Sequence, residues 1–204
     1  LVKLGAKAAK SPAHAAAEAD VVITMVSRPQ DVEDVVLGPS GALEGLQGGA
    51  VLVDMSTVSP VTSRKLAGAA TTKHAEFLDT PVVGSKGPAT DGTLIILVGG
   101  LPQTLKRCEA LLRTMGKAIV HAGNVGCGSA LKLATNLMLG HLAAGFAEAG
   151  RCLKEPKYVE VAAKAADFVL KRQKTGDGRL LRTYGSAPGQ PPRAAVNAYQ
   201  EDYA

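Results

Sequence analysis

The chain has 204 residues, of which 46% are hydrophobic and 20% charged, a composition typical of a folded protein. Its formal net charge is +5, but residues 1–150 carry 13 basic and 12 acidic side chains, so the basic excess lies in residues 151–204. That excess is spread over KRQKTGDGRLLR without interleaved aromatic residues, which argues against a nucleic-acid partner. No apolar run approaches the roughly 18–20 residues of a membrane span, so no membrane partner is predicted.

The three cysteines, Cys108, Cys127 and Cys152, show no CxxC spacing. This argues against a disulfide framework and a metal site, and it favours a reducing compartment, either cytoplasm or an organellar matrix. The first segment, LVKLGAKAAK, begins with Leu1 rather than Met and lacks the apolar core of a signal peptide. We therefore interpret the start of the chain as an interior cut.

Strand and helix patterns alternate through residues 1–150. In chain order the sequence predicts helix PAHAAAEAD, strand VVITMV, helix RPQDVEDVVLG, strand AVLVDM, helix PVTSRKLAGAA, strands HAEFLD and LIILVGG, helix PQTLKRCEALLRTMG and strand KAIVHAG. Ser59 and Pro60 are expected to open the third of these helices as N-cap and first helical residue. Continuous Val/Ile/Leu runs indicate strands covered on both faces. The predicted fold is therefore an open, doubly wound α/β sheet.

Ligands of such sheets bind beyond the carboxyl ends of the strands, which selects three loops. The first follows VVITMV, and the second follows VLVDM and contains Ser56 and Thr57. Helix capping explains Ser59 and can explain Ser56, so Thr57 is the hydroxyl with a possible ligand role. The third is a fourteen-residue loop, Thr80–Thr93, whose backbone amides around Gly84 and Ser85 can hold a carboxylate. The alternative for this loop is a plain solvent-exposed connection.

Lys132 stands alone in an apolar helix that follows a glycine-rich turn, within GNVGCGSALKLATN. It either extends to solvent or lies in a cleft that needs an ammonium group, with Asn136 four residues on and on the same helix face. The glycines do not form a dinucleotide fingerprint, because the third would fall at Leu131, and nothing before VVITMV supplies a G-x-G-x-x-G.

Three segments resemble signature motifs of the β-hydroxyacid dehydrogenases: VDMSTVSP (53–60), FLDTPVVGSKGPATDGTLIILVGG (77–100) and GNVGCGSALKLATN (123–136). That family includes 3-hydroxyisobutyrate dehydrogenase, glyoxylate/succinic semialdehyde reductase and, more distantly, 6-phosphogluconate dehydrogenase. The resemblance covers residues 1–150, and the Gly-Ser-Lys-x-Pro-Ala loop is most similar to the glyoxylate/succinic semialdehyde branch. It implies an oxidoreductase with NADP or NAD as cofactor, a small carboxylate as substrate and a homo-oligomer.

The resemblance also assigns roles to individual residues. Its catalytic lysine, a general acid/base, falls on Lys132. Its substrate-binding positions fall on Val83, Gly84, Ser85 and Asn136, and its cofactor-binding positions fall on Val26, Ser27 and Thr57. The family usually has Ser-Gly-Gly or Ser-Gly-Ser in the substrate loop, so Val83 removes a hydroxyl and leaves the backbone amides.

Three segments are predicted along the chain. Residues 1–122 form a partial dinucleotide-binding domain, residues 123–153 start a helical substrate and dimerisation domain, and residues 154–204 are an unrelated helical tail. The resemblance implies that the sheet lacks its first strands, which we expect between VVITMV and AVLVDM. Truncation is expected to impair activity.

The tail, residues 157–204, resembles a helical-hairpin segment of the α/α-barrel proteins related to the thioredoxin-domain and spermatogenesis-associated group. Val159, Ala162 and Ala166 begin the apolar face of a helix, and Gly176–Gly178 predict a turn. Two alternatives to an active dehydrogenase therefore stay open. One is a non-catalytic remnant or binding module, and the other is a chimeric, fused gene fragment without joint function.

Overall fold

The computed structural model describes residues 2–172, 181–185 and 193–197, and they fall into two compact units. The first unit runs to Gly84 and resumes over Pro88–Leu133. The second contains Ser85–Gly87 and the described residues from Ala134 onward. In the described residues no helix combines the length and the apolar character needed to cross a membrane.

The first unit alternates helices and strands. After a short 3-10 helix, Val2–Leu4, its elements in chain order are α1 (Pro12–Ala16), β1 (Val21–Thr24), α2 (Pro29–Leu37), α3 (Ala42–Gly45), β2 (Val51–Asp54), α4 (Pro60–Thr72), β3 (Glu76–Asp79), β4 (Val82–Val83), α5 (Lys86–Thr90), β5 (Leu94–Gly99), α6 (Pro102–Arg113) and β6 (Gly116–Gly123). Strands separated by helices confirm the predicted α/β class. The helix α7 (Cys127–Leu153) begins in this unit.

The strands β1, β2 and β3 form a parallel ladder in that order. Val21 lies opposite Val51, and Thr24 lies opposite Asp54, so β1 and β2 pair directly along their whole length. The expectation that the missing strands belong between VVITMV and AVLVDM is therefore wrong. The ladder hydrogen bonds that such strands would need are already made between β1 and β2.

The strand β5 runs antiparallel to β3 and β4 and parallel to β6. The fourteen residues between β3 and β5 form β4, which pairs antiparallel with β5, and the five-residue α5, rather than a helix long enough to carry the chain back for a parallel pairing. These two elements also correct the expectation of a fourteen-residue loop over Thr80–Thr93. From β5 to β6 the chain does make a helical crossover, through α6.

Both faces of the sheet are covered at β2, β3 and β5, as their apolar sequences predict, whereas Ile23 of β1 and Val120 of β6 are exposed. On one face Leu52 and Phe77 pack with Val32 of α2 and Leu66 of α4. On the other face a second buried cluster joins the sheet to α6, and its members include Val53, Leu78, Ile96, Val98 and Leu112. Because consecutive residues of β2 enter opposite clusters, the strand is buried on both sides.

Local signals fix where the helices begin. The Ser59 side chain accepts a hydrogen bond from the Thr62 N–H at 3.1 Å, and Pro60 is the first residue of α4. This confirms the predicted N-cap. In α2 the Arg28 N–H donates to the Asp31 carboxylate at 3.1 Å, which satisfies a backbone donor at the helix start.

The second unit contains most of α7, the helix α8 (Pro156–Arg172) and two antiparallel strands, β7 (Leu181–Gly185) and β8 (Arg193–Asn197). Phe146 of α7 stacks on Tyr158 of α8 with ring centroids 6.1 Å apart. The helix α8 confirms part of the predicted helical tail. At β7 and β8 the helical prediction is wrong: two strands form there, and LRTYG holds the Thr and Tyr residues that favour strands. The predicted turn at residues 176–178 lies outside the described residues.

Candidate functional site

The loops after β1 and β2 are joined by hydrogen bonds at the carboxyl edge of the sheet. The Val26 N–H donates to the Ser56 hydroxyl at 3.0 Å. Two residues further in along each strand, the Thr24 hydroxyl donates to the Asp54 carboxylate at 2.8 Å. Ser56 therefore connects two strands rather than capping a helix. The contact brings two predicted cofactor segments together, since Thr57 adjoins Ser56.

Two hydroxyl side chains stay accessible at this edge. Ser27 is exposed and Thr57 is half-buried. Within the described part of the chain, the Thr57 hydroxyl makes no hydrogen bond, whereas those of Ser56 and Ser59 are both engaged. An accessible hydroxyl beyond the end of a parallel strand fits a dinucleotide, whose ribose and amide groups need such partners.

The predicted carboxylate-binding residues follow β3. Val83 is half-buried in β4 and pairs with Ile95, while Gly84 and Ser85 are exposed. Gly84 has a backbone φ of +131°, a region that side chains disfavour, so glycine is required there. Val83 and Gly84 belong to the first unit, and Ser85 belongs to the second.

Lys132 lies in the second turn of α7 and is half-buried, as is Asn136 one turn later. The four-residue spacing puts both on one face of the helix, as the sequence predicts. Lys132 belongs to the first unit, which also holds Val26 and Thr57, whereas Asn136 belongs to the second. An ammonium group held at a helix start next to a sheet edge can give a proton to an oxygen that gains negative charge.

A residue that the sequence analysis missed, Asp79, connects the sheet to the start of α7. Its side chain is fully buried at the end of β3. One carboxylate oxygen accepts the N–H of Gly126 at 2.8 Å, and the other accepts the N–H of Ser129 at 2.7 Å. These N–H groups have no partner within the helix, so a carboxylate there satisfies both donors and complements the helix dipole.

Two further contacts hold the same helix start. Gly128 lies so close to the sheet that a Cβ atom on it would be 2.7 Å from the backbone oxygens of Asp79 and Leu97. The hydroxyls of Ser129 and Ser63 are 2.9 Å apart and both buried, which joins α7 to α4. The sequence carried one signal for this arrangement, since an acidic residue ends the apolar strand EFLD.

Asp54 is a second buried carboxylate, at the end of β2. One of its oxygens accepts from the Thr24 hydroxyl and from the Ser56 N–H, at 2.8 and 3.2 Å. The other oxygen has no hydrogen-bond partner among the described residues. Burial raises the pKa of Asp54, the hydrogen bonds from Ser56 and Thr24 oppose that rise, and the negative charge of Asp79 adds to it.

The fold and the strand-end loops define a dinucleotide-binding α/β domain, and comparison with known proteins agrees. The sequence profile of the NAD binding domain of 6-phosphogluconate dehydrogenase matches residues 1–123. A 3-hydroxyisobutyrate dehydrogenase of Pseudomonas aeruginosa is 38% identical over 200 residues, which are 98% of this chain and 66% of that protein. The chloroplastic glyoxylate/succinic semialdehyde reductase 2 of Arabidopsis thaliana is 39% identical over 148 residues, or 72% of this chain and 41% of that one.

A solved structure of Mycobacterium tuberculosis 3-hydroxyisobutyrate dehydrogenase with L-serine superposes with a TM-score of 0.67 at 30% identity, covering 78% of this chain and 54% of that one. The chain therefore belongs to the β-hydroxyacid dehydrogenase family, and its cofactor class is nicotinamide dinucleotide. It spans between 41% and 66% of the length of these relatives.

Proposed function

We propose that this chain supplies the cofactor-binding loops and the proton-transferring lysine of a nicotinamide-dependent hydroxyacid dehydrogenase. One observation carries the proposal: Lys132 lies in the second turn of a helix whose start is hydrogen-bonded to the carboxyl end of β3. The loops after β1 and β2, with Val26, Ser27 and Thr57, lie in the same unit. In open α/β sheets this edge is where ligands bind.

In the proposed mechanism some residues hold the cofactor and others bind the substrate or transfer a proton. Thr57 and Ser27 offer hydroxyls to the dinucleotide, and the Val26 backbone, fixed by Ser56, borders it. A bound nicotinamide would supply the hydride chemistry, as acceptor in oxidation and as donor in reduction. Backbone amides around Gly84 bind the substrate carboxylate.

Lys132 transfers the proton in both directions of the reaction. In oxidation its neutral amine accepts the proton of the substrate hydroxyl while the C–H bond breaks and the C=O bond forms. In reduction its ammonium returns that proton to the carbonyl oxygen, and its positive charge stabilises the oxygen as negative charge develops. Asn136, on the same face of α7, donates an amide N–H to the substrate.

We propose 3-hydroxyisobutyrate or L-serine as first substrates, because the Pseudomonas aeruginosa relative aligns with 98% of this chain and the Mycobacterium tuberculosis relative was solved with L-serine. Glyoxylate and succinic semialdehyde form the second group, on the similarity to the Arabidopsis thaliana reductase. All four are small carboxylates with a hydroxyl or carbonyl carbon that can exchange a hydride.

Cofactor binding tests the proposal first. The purified chain is titrated with NADH and with NADPH while nicotinamide fluorescence is followed. We expect saturable binding that weakens about tenfold in Thr57→Ala, the cost of one hydrogen bond of about 1.4 kcal/mol. The matched control is Thr71→Ala near the other end of α4, where the hydroxyl bonds only to the Ala67 carbonyl, and it should leave the Kd unchanged. A folded chain without saturable binding would overturn the proposal and favour a non-catalytic remnant.

A further inference from the structure

We infer that Asp79 is a positioning residue for Lys132: by holding the first turn of α7 against the end of β3, it fixes where the lysine amine lies. The inference rests on the proposed function of Lys132 and goes beyond it, because Asp79 itself touches neither cofactor nor substrate in the mechanism above. Every residue it uses belongs to the first unit.

The contact is specific to the start of α7. The Asp79 oxygens accept from Gly126 and Ser129, which lie on either side of the first helical residues, at 2.8 and 2.7 Å. Hydrogen bonds to a charged, buried acceptor are stronger than those between neutral groups. Lys132 follows Ser129 by three residues, which is nearly one helical turn. The position of the hydrogen-bonded Ser129 amide therefore determines where the backbone of Lys132 lies.

The contact is also rigid, because neighbouring atoms leave the helix start no room to shift. Gly128 packs on the backbone oxygens of Asp79 and Leu97, and Ser129 contacts Ser63 of α4. Sliding or rotating α7 toward the sheet would produce overlap, and moving it away would break two buried hydrogen bonds. Asp79 therefore sets both the depth and the rotation of the turn that precedes Lys132.

This precision matters for a proton-transfer group. A general acid/base works within about 2.6–3.2 Å of the atom it serves. A displacement of about 1 Å, even from a change remote from the chemistry, can lower a rate by about 100-fold. Loss of the Asp79 contact should therefore lower turnover more than it lowers substrate or cofactor binding.

Two variants of Asp79 and one control test the inference in the full chain. Asp79→Asn keeps one acceptor oxygen, and Asp79→Ala keeps none. The control, Thr104→Ala, removes a part-buried hydrogen bond from the buried Thr104 of α6 to Glu76 at the other end of β3. It perturbs the same strand without touching α7.

The first readout needs neither substrate nor cofactor. Hydrogen exchange of the Gly126 and Ser129 amides is measured together with competitive acetylation of Lys132, with Lys106 as internal reference. We expect exchange at both amides to rise about tenfold or more and Lys132 acetylation to rise about threefold in Asp79→Ala, less in Asp79→Asn, because the helix start opens locally. Thr104→Ala should move neither ratio. Unchanged acetylation of Lys132 in Asp79→Ala would overturn the inference.

The second readout is turnover of 3-hydroxyisobutyrate with NAD. We expect kcat to fall about 10- to 100-fold in Asp79→Ala with KM changed less than about threefold, and Asp79→Asn to lie between wild type and Asp79→Ala. A fall in Thr104→Ala as large as in Asp79→Ala would reduce Asp79 to general stability and overturn the inference. If acetylation changes as expected but wild type turns over none of the proposed substrates, the positioning stands and the proposed function fails.

Discussion

The neighbouring strands β2 and β3 both end in a buried aspartate, yet the two carboxylates have different surroundings. Both oxygens of Asp79 accept backbone N–H groups from the start of α7. In Asp54 one oxygen accepts two hydrogen bonds, while the other is buried with no partner among the described residues. The same residue type at equivalent strand ends can therefore stabilise a helix or carry a desolvation cost.

The difference follows from what each carboxylate faces. Asp79 meets a helix start, where unpaired N–H groups and the helix dipole favour a negative charge. Asp54 meets a hydroxyl and the N–H of the next loop, and these connect the ends of β1 and β2. Four predictions test this comparison, in order of decreasing expected effect.

Removing the Asp79 carboxylate should have the largest effect on stability. Asp79→Ala leaves two buried N–H groups without acceptors, so we expect the free energy of unfolding to fall by about 3 kcal/mol or more. Denaturant unfolding measures the loss. Asp54→Ala is the comparison, and it should cost less because it also removes a poorly solvated charge. Equal losses in the two variants would contradict the distinction between the strand ends.

Filling the space at Gly128 tests the close approach of α7 to the sheet. In Gly128→Ala the new Cβ would lie 2.7 Å from two backbone oxygens, so we expect a loss of about 2 kcal/mol from overpacking. The matched control is Gly68→Ala in α4, where nothing lies within 4 Å of the added Cβ, and helix propensity predicts a gain of up to about 1 kcal/mol. Thermal or denaturant unfolding of both variants measures the change in stability. Similar effects in the two would mean that α7 does not pack on β3 and β5 as described.

The hydrogen bond that links the ends of β1 and β2 should contribute less to the free energy of unfolding. Ser56→Ala removes the acceptor of the Val26 N–H, so we expect a loss of about 1 kcal/mol and weaker cofactor binding. Ser27→Ala in the same loop is exposed and should leave stability unchanged. If Ser27→Ala weakens folding as much as Ser56→Ala does, the Ser56 contact is not what holds the loop.

The smallest effect is a pH dependence at Asp54. Burial raises its pKa in the folded chain, so the folded state keeps a proton that the unfolded state loses above about pH 3.9. The unfolding free energy of wild type should therefore fall, relative to Asp54→Asn, as pH rises from about 4 toward the raised pKa. Unfolding curves of both proteins across that range measure the difference. A difference that stays flat or grows with pH would show that Asp54 carries no desolvation cost.

The sequence predicted the elements of the first unit well because their signals are local. Pro29, Ser59 and Pro60 mark helix starts, and apolar runs such as VLVD mark strands buried on both faces. Pairing is not local, which is why the direct pairing of β1 with β2 and the antiparallel β5 were not predicted. The same apolar residues are buried whether neighbouring strands pair in one order or another, and whether they run parallel or antiparallel. Composition therefore does not distinguish these arrangements.

The candidate site was predicted only in part, because its contacts also join segments that are distant along the chain. Motif resemblance and spacing predicted roles for Lys132, Asn136 and Thr57, and these roles stay predictions, whereas the contacts around them were not predicted. Asp54 and Asp79 end their strands with only one visible signal, an acidic residue after an apolar run. Their roles depend on which backbone groups lie opposite, and those groups come from segments up to 50 residues away along the chain.

Steady-state turnover of Lys132→Ala tests the central assignment most directly. Oxidation of 3-hydroxyisobutyrate is followed by NADH absorbance in wild type, Lys132→Ala and the exposed control Lys106→Ala, and the cofactor Kd is measured in each. We expect turnover to fall by about 10²- to 10⁴-fold in Lys132→Ala alone, the usual contribution of general acid/base catalysis, while the Kd is unchanged. Equal turnover in wild type and Lys132→Ala, or none in either, would contradict the assignment.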